Sequence, residues 1–117
     1  MKTIFDEKIK GKKITMTITP DWKLFEEAQI QAVKNNISVS DFLTKAITHY
    51  FNNKDEFLKT EIRIGKKTNT RISIPKEVYI KLKYQKIKED TYMGDLISKC
   101  IYFYIHYINT PKEEKTI

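Results

Sequence analysis

The chain has 117 residues, of which 40% are hydrophobic, so it is long and apolar enough for one folded domain and is not a wholly disordered polymer. Its single cysteine, Cys100, excludes an internal disulfide framework and is expected to be a buried residue in a protein of the reducing cytoplasm. The formal net charge of +7 favours a polyanionic partner.

An internal repeat organises the whole sequence. Gly11-Lys12-Lys13 recurs 54 positions later as Gly65-Lys66-Lys67, and the match continues without a gap. The identical pairs that follow are Ile18/Ile72, Gln31/Gln85, Lys34/Lys88, Asp41/Asp95, Lys45/Lys99, Ile47/Ile101 and Tyr50/Tyr104. Because each copy is too short to bury a stable core by itself, we expect the two copies to pack together. The predicted division is a first module over 11–53, a linker over 54–64 and a second module over 65–110, which together form one pseudo-symmetric domain.

Each module begins with a predicted β-strand. Residues 14–19 and 68–74 alternate apolar and polar side chains, the pattern of a strand with one buried face. The apolar face includes Met16, Ile18 and Ile72. The opposite, outward face carries Thr15, Thr17, Thr19, Asn69, Arg71 and Ser73. Since a lone strand leaves its backbone groups unpaired, we expect these two strands to pair antiparallel as a two-stranded ribbon.

Two helices are predicted after each strand. The first runs from Asp21 to about Asn35, and its copy starts at Pro75, which suits a first helical position. The predicted core stripes of these two helices are Leu24, Phe25, Ala28 and Ala32 in one copy and Val78, Tyr79 and Leu82 in the other. The second helix follows the reciprocal capping pattern of Ser38 to Asp41, in which Ser38 accepts a backbone N–H and Asp41 reaches back to Ser38, and it runs to about Phe51. Its core face is predicted to be Phe42, Leu43, Ala46, Ile47 and Tyr50, matched by Leu96, Ile97, Cys100, Ile101 and Tyr104. The expected fold is mainly α with a two-stranded antiparallel ribbon, in which two strand-helix-helix modules form an intramolecular pseudo-dimer.

This order of elements, found twice, resembles the ribbon-helix-helix (Arc/MetJ-type) DNA-binding family over residues 11–108. Residues 71–79 resemble that family's strand-to-helix junction, and residues 38–43 resemble the start of its second helix. The chain is similar to the form in which two modules are fused, which also occurs in accessory proteins of conjugative plasmids. It departs from the family pattern at Asn36 and Asp90, where glycine is usual, and at residues 92–94, which replace a Ser-x-Ser segment.

The resemblance implies that the ribbon enters the DNA major groove and that its outward side chains touch base edges. The expected base contacts are Thr15, Thr17, Thr19, Asn69, Arg71 and Ser73. Phosphates are expected at the starts of the second helices and beside lysines that flank the strands. The expected phosphate contacts are Lys12, Lys13, Ser38, Val39, Ser40, Lys66, Lys67, Met93 and Gly94. Because the two copies differ at these positions, the preferred DNA site is expected to be asymmetric.

The last predicted helix is apolar or aromatic nearly all round over residues 101–108. Two interpretations compete: the helix is buried between others, or its outer face mediates self-association. We favour self-association.

No arrangement of residues predicts catalysis, a cofactor or a metal site, so we expect a binding protein and not an enzyme. The leading hypothesis is a site-specific transcriptional repressor of its own operon. The close alternative is a relaxosome accessory protein that binds a plasmid transfer origin and contacts a relaxase or coupling protein. An antitoxin-type protein-binding module is less favoured, since only seven residues follow Thr110, and RNA binding is disfavoured by the narrow A-form groove.

No apolar run approaches the length of a membrane span, so we predict no membrane insertion and a cytoplasmic location.

Overall fold

The computed structural model describes residues 12–57 and 60–110; Gly11, two linker residues and the residues after Thr110, which entered the sequence analysis, lie outside it. This part of the chain is mainly α, with five helices and one two-stranded antiparallel sheet. In chain order the elements are β1 (Lys13–Ile18), α1 (Trp22–Lys34), α2 (Val39–Asn52), α3 (Lys54–Phe57), β2 (Thr70–Pro75), α4 (Lys76–Lys88) and α5 (Met93–Asn109). The predicted order of one strand and two helices, occurring twice, is therefore confirmed.

The two strands pair antiparallel, as predicted, and their register follows the repeat. Thr17 lies opposite Arg71, which is its own equivalent 54 positions further along the chain. A local two-fold relation between the strands is therefore centred on this pair. Main-chain hydrogen bonds continue the same register beyond both strand ends, from Lys76 N to Lys12 O at 2.9 Å and from Trp22 N to Lys66 O at 2.8 Å.

The strands differ from the predicted bounds by one or two residues at the end near Pro20. Thr68 donates its N–H to the Pro20 carbonyl at 3.0 Å. Proline has no N–H with which to return the second bond of that pair, so the regular ladder stops before it. Asn69 consequently lies just outside β2, although it remains exposed beside the ribbon.

The core lies between the inner face of the ribbon and the helices, with α2 packed against α5 at its centre. The predicted apolar stripes are buried as expected in most positions. The core hydrophobic side chains with at most 6% exposure are Ile18, Phe25, Ala28, Ala32, Phe42, Leu43, Ala46, Ile47, Tyr50, Ile72, Ile74, Leu82, Leu96, Ile97, Cys100 and Ile101. Leu24, Val78, Tyr79 and Tyr104 pack at the margin of this core and are half-buried. The prediction that Cys100 is a buried thiol is confirmed.

The turns between the paired helices explain the two departures from glycine. Asn36 and Asp90 have φ values of 55° and 51°, in the left-handed region that favours glycine but also tolerates Asn and Asp. Each turn closes in the same way: Ile37 N donates to Ala32 O at 3.0 Å, and Thr91 N donates to Lys86 O at 3.1 Å. Both helices therefore end in the same Schellman motif, and a short polar residue substitutes for glycine in each.

Two local predictions need correction. Pro75 has an extended ψ of 142° and is the N-cap of α4, one residue before the first helical position. Ser38 accepts the Asp41 N–H at 3.0 Å as predicted. The reciprocal bond, from the Ser38 N–H to the Asp41 carboxylate, is not among the hydrogen bonds of the described residues. Ser38 therefore caps α2 without the second half of the capping box.

The linker contributes to the fold through its short helix α3. Phe57 stacks on Phe103 of α5 with ring centroids 4.0 Å apart and an interplanar angle of 9°. This contact covers part of the aromatic surface of the last helix. Within the described residues, no helix combines the length and the apolar composition needed to cross a membrane.

Candidate nucleic-acid interface

The outer face of the ribbon presents the predicted polar side chains to solvent. Thr15, Thr17, Thr19, Asn69 and Arg71 are exposed, and Ser73 is half-buried. The neighbouring positions on the inner face, Ile18, Ile72 and Ile74, are at most 3% exposed. The alternation of the sequence thus places the hydrogen-bonding groups on one accessible surface, while the apolar side chains fix the ribbon to the helices.

Antiparallel pairing places different side chains at the two ends of this surface. At one end, the Thr15 and Ser73 hydroxyls lie opposite each other, 3.2 Å apart and hydrogen-bonded. Arg71 stands at the centre opposite Thr17. Thr19 and Asn69 lie at the far end. The face therefore runs from two short hydroxyls through a long cation to an amide, so the two halves of the ribbon offer different donors and acceptors.

Exposed lysines flank both ends of the ribbon. Lys12 and Lys13 lie at the start of β1, and Lys66 and Lys67 lie beside Trp22 at the opposite end. A polyanion lying across the ribbon would meet positive charge on each side. Lys67 is also engaged within the protein, since its ammonium group lies 3.0 Å from the Asp95 carboxylate and 5.4 Å from the centre of the Tyr92 ring.

The N-terminus of α2 reaches the edge of β2. Ser38 caps the helix, and the Ser40 hydroxyl accepts the N–H of Ser73 at 3.0 Å. This hydroxyl satisfies a backbone donor at the open edge of the ribbon, a role that the sequence analysis missed. Ser38, Val39 and Ser40, the residues predicted to bind phosphate here, therefore start a helix that is fixed directly to the ribbon.

In the second half, the equivalent contact depends on a glycine, which has no side chain, where the first half has a serine hydroxyl. Gly94 takes the place of Ser40 and is buried against the end of β1. A Cβ atom added at Gly94 would lie 2.4 Å from the carbonyl oxygen of Thr19. Only glycine allows α5 to approach the strand this closely. Met93, its neighbour, is half-buried at the start of the same helix. Phosphate contact by Met93 and Gly94 stays a prediction.

Asp21 is a positioning residue that the sequence analysis treated merely as the start of a helix. Its carboxylate accepts the N–H of Leu24 at 3.0 Å and that of Gly65 at 2.7 Å. Its own N–H donates to the Ser98 hydroxyl at 2.8 Å. Asp21, which is 7% exposed, thus joins α1, the segment before β2 and α5 at the end of the ribbon near Lys66 and Lys67. An aspartate directly before an apolar periodic segment is an N-cap signal, whereas its contact with Gly65 depends on the tertiary fold.

Compared with models of protein families, with curated proteins and with solved structures, the chain gave no match. What the ribbon can bind must therefore follow from its own geometry and chemistry. Its outer face is polar, differs from one end to the other, and has exposed lysines at both ends.

Proposed function

We propose that the chain is a tandem ribbon-helix-helix protein that binds double-stranded DNA at specific sites and acts as a transcriptional repressor. The observation that carries the proposal is the exposed row of Thr15, Thr17, Arg71 and Asn69 on a two-stranded ribbon. A two-stranded ribbon has the width of the B-DNA major groove, where each base pair displays a distinct pattern of donors and acceptors. Occupation of a promoter by such a protein would exclude RNA polymerase.

In this mechanism Arg71 makes the strongest base contact. Its guanidinium group donates two hydrogen bonds to the O6 and N7 atoms of guanine, and Asn69 forms the corresponding pair with adenine. The threonine methyl groups contact the methyl group of thymine. Because Arg71 lies at the centre of the ribbon and Asn69 at one end, the preferred site is asymmetric around a central guanine.

Phosphate contacts orient the ribbon without reading sequence. Lys12 and Lys13 at one end and Lys66 at the other lie where the two phosphate backbones border the groove. The N-terminus of α2, tied to β2 through Ser40 and Ser73, offers backbone N–H groups for one of these phosphates. The Lys67–Asp95 pair leaves Lys67 partly neutralised, so we expect Lys66 to contribute more to salt-dependent affinity.

Replacement of Arg71 tests this proposal. Duplexes selected from random DNA by the wild-type chain are compared with those selected by Arg71→Ala. The variant is expected to lose about 1 to 3 kcal/mol of discrimination at the central guanine, since one bidentate contact is removed, and to keep weak binding at low salt.

Arg63→Ala is the matched control, because Arg63 is an exposed arginine of the linker, away from the ribbon strands. It removes the same charge and is expected to leave the selected sequence unchanged. An Arg71→Ala variant that selects the same sequence as the wild type, with the same discrimination, would refute base reading by the ribbon.

Self-association through residues 101–108 stays a prediction. Ile101 and Ile105 of this segment are buried in the core, with 0% and 8% exposure, and Phe103 is stacked on Phe57. Tyr102 and Tyr107 retain exposed surface of 39% and 48%. The apolar character of this helix is thus in large part accounted for by contacts inside the chain.

A further inference from the structure

Exposed apolar side chains lie along α1 and α4. On α1, Ile30 and Val33 are 46% and 80% exposed. On α4, Ile80, Tyr84 and Ile87 are 39%, 66% and 71% exposed. The spacing of three and four residues places each set on one stripe of its helix. Ile30 and Val33 are the repeat equivalents of Tyr84 and Ile87, so the fold presents an apolar stripe at the same place in each half.

The two stripes differ in their charged borders. Helix α1 carries two lysines and two glutamates and has no net charge, whereas α4 carries five lysines and one glutamate and has a net charge of +4. Two α4 faces would repel each other, while the glutamates of α1 oppose that excess of lysine. Charge complementarity therefore favours pairing of an α1 face with an α4 face.

We propose that a second copy of this chain binds with its α4 stripe (Ile80, Tyr84, Ile87) against the α1 stripe (Ile30, Val33) of the first. The contact is heterologous, because two different surfaces meet. Each added copy leaves one free α1 face and one free α4 face, so association continues beyond two copies. It requires no DNA and goes beyond the proposed DNA binding, so it holds or fails independently of it.

Two single variants, Ile30→Glu on α1 and Tyr84→Glu on α4, test the arrangement by complementation. Sedimentation equilibrium is measured without DNA from about 10 μM to about 1 mM, a range that detects weak association. The wild-type chain is expected to rise with concentration past twice its monomer mass of 13.9 kDa. Each variant by itself is expected to stay monomeric, because one of its two faces carries a buried charge. An equimolar mixture is expected to form a dimer that grows no further, since each variant supplies the face that the other lacks.

Tyr92→Glu is the control, because it introduces the same charge at an aromatic side chain that is 73% exposed and lies in neither stripe. It is expected to associate like the wild type, while Tyr102→Glu tests separately the face of α5 for which self-association was predicted. Restored dimers in the mixture also show that both variants are folded. A wild-type chain that remains monomeric throughout overturns the proposal. So does association lost in Ile30→Glu but kept in Tyr84→Glu, which indicates pairing of two α1 faces, and so does loss of association in Tyr102→Glu, which assigns the contact to α5.

Discussion

At the scale of single residues, the second helix of each half contacts the ribbon in a different way. Where the start of a second helix meets the edge of the ribbon, Ser40 bonds to the Ser73 N–H, while Gly94 allows direct approach to the Thr19 carbonyl. Both positions hold an outward-facing ribbon residue in place. A short side chain in this repeat position is therefore a requirement of geometry, although the chemistry of the two contacts differs.

Replacement of Gly94 by alanine is expected to destabilise the protein by about 1 to 3 kcal/mol or more, the usual cost of overpacking. The added Cβ atom would meet backbone atoms of Thr19, which cannot move away as a flexible side chain can. Urea unfolding measures this loss. Ser40→Ala is the comparison at the equivalent position and should cost about 1 kcal/mol for the lost hydrogen bond. Equal, small effects of both substitutions would contradict the close approach of α5 to β1.

At the scale of elements, the ribbon depends on how the first helix of each half begins. Pro75 ends β2 and is the N-cap of α4 without a side-chain hydrogen bond, whereas Asp21 caps α1 and also accepts the N–H of Gly65, at the start of the second module. The segment that leads into β2 is thereby held beside the start of α1, where the Trp22 N–H donates to the Lys66 carbonyl. Asp21 thus links the start of α1 to the segment that leads into β2.

Asp21→Ala is therefore expected to cost more free energy of unfolding than Ser38→Ala, a substitution that removes a simple N-cap. Loss of a cap costs about 0.5 to 2 kcal/mol, and Asp21→Ala also removes the hydrogen bond from the Gly65 N–H, which adds about 0.5 to 1.5 kcal/mol. Chemical denaturation of the two variants provides the measurement. If Ser38→Ala proved the more damaging, Asp21 would be no more than a local cap.

At the scale of the whole molecule, a polar cluster links the two halves at the side of the core. The Tyr50 hydroxyl, from the first half, donates to the Glu89 carboxylate, which also accepts from Gln85 at 2.8 Å and pairs with Lys99 at 3.3 Å. Burial, together with this hydrogen bond and the Glu89 charge, raises the pKa of the Tyr50 phenol. The repeat equivalent of Glu89 is Asn35, so the cluster has no ionic counterpart in the other half.

This cluster predicts a loss of stability at alkaline pH. The raised pKa means that the unfolded chain releases the Tyr50 proton first, at its ordinary value near 10. The stabilisation is complete below that pH and decreases above it, by up to about 1.4 kcal/mol per pH unit for this one proton. Tyr50→Phe is expected to cost about 1.5 to 3 kcal/mol at neutral pH, through loss of a charged hydrogen bond, and to flatten the alkaline decrease.

Urea unfolding of the wild type and Tyr50→Phe between pH 8 and about pH 11 checks both parts of this prediction. Cys100 and Tyr104, whose pKa values are also raised by burial, remain in both proteins. The difference between the two curves therefore isolates Tyr50. Parallel curves over this range would mean that Tyr50 titrates alike in the folded and unfolded chains.

The sequence by itself determined the repeat, the order of strands and helices, the buried stripes from Phe25 to Ile101, and which strand residues face outward. These features depend on periodicities of two and 3.6 residues and on short-range capping, which are properties of neighbouring residues. Tertiary structure decided the contacts between residues far apart in the chain: the bond from Ser40 to Ser73, the approach of Gly94 to Thr19, and the union of Asp21 with Gly65 and Ser98. Such contacts depend on where separate elements come to lie, and no local pattern in the sequence encodes those positions. The exposed stripes of α1 and α4 belong to this second group, since Ile30, Val33, Tyr84 and Ile87 become surface features only when the other side of each helix is packed against the core.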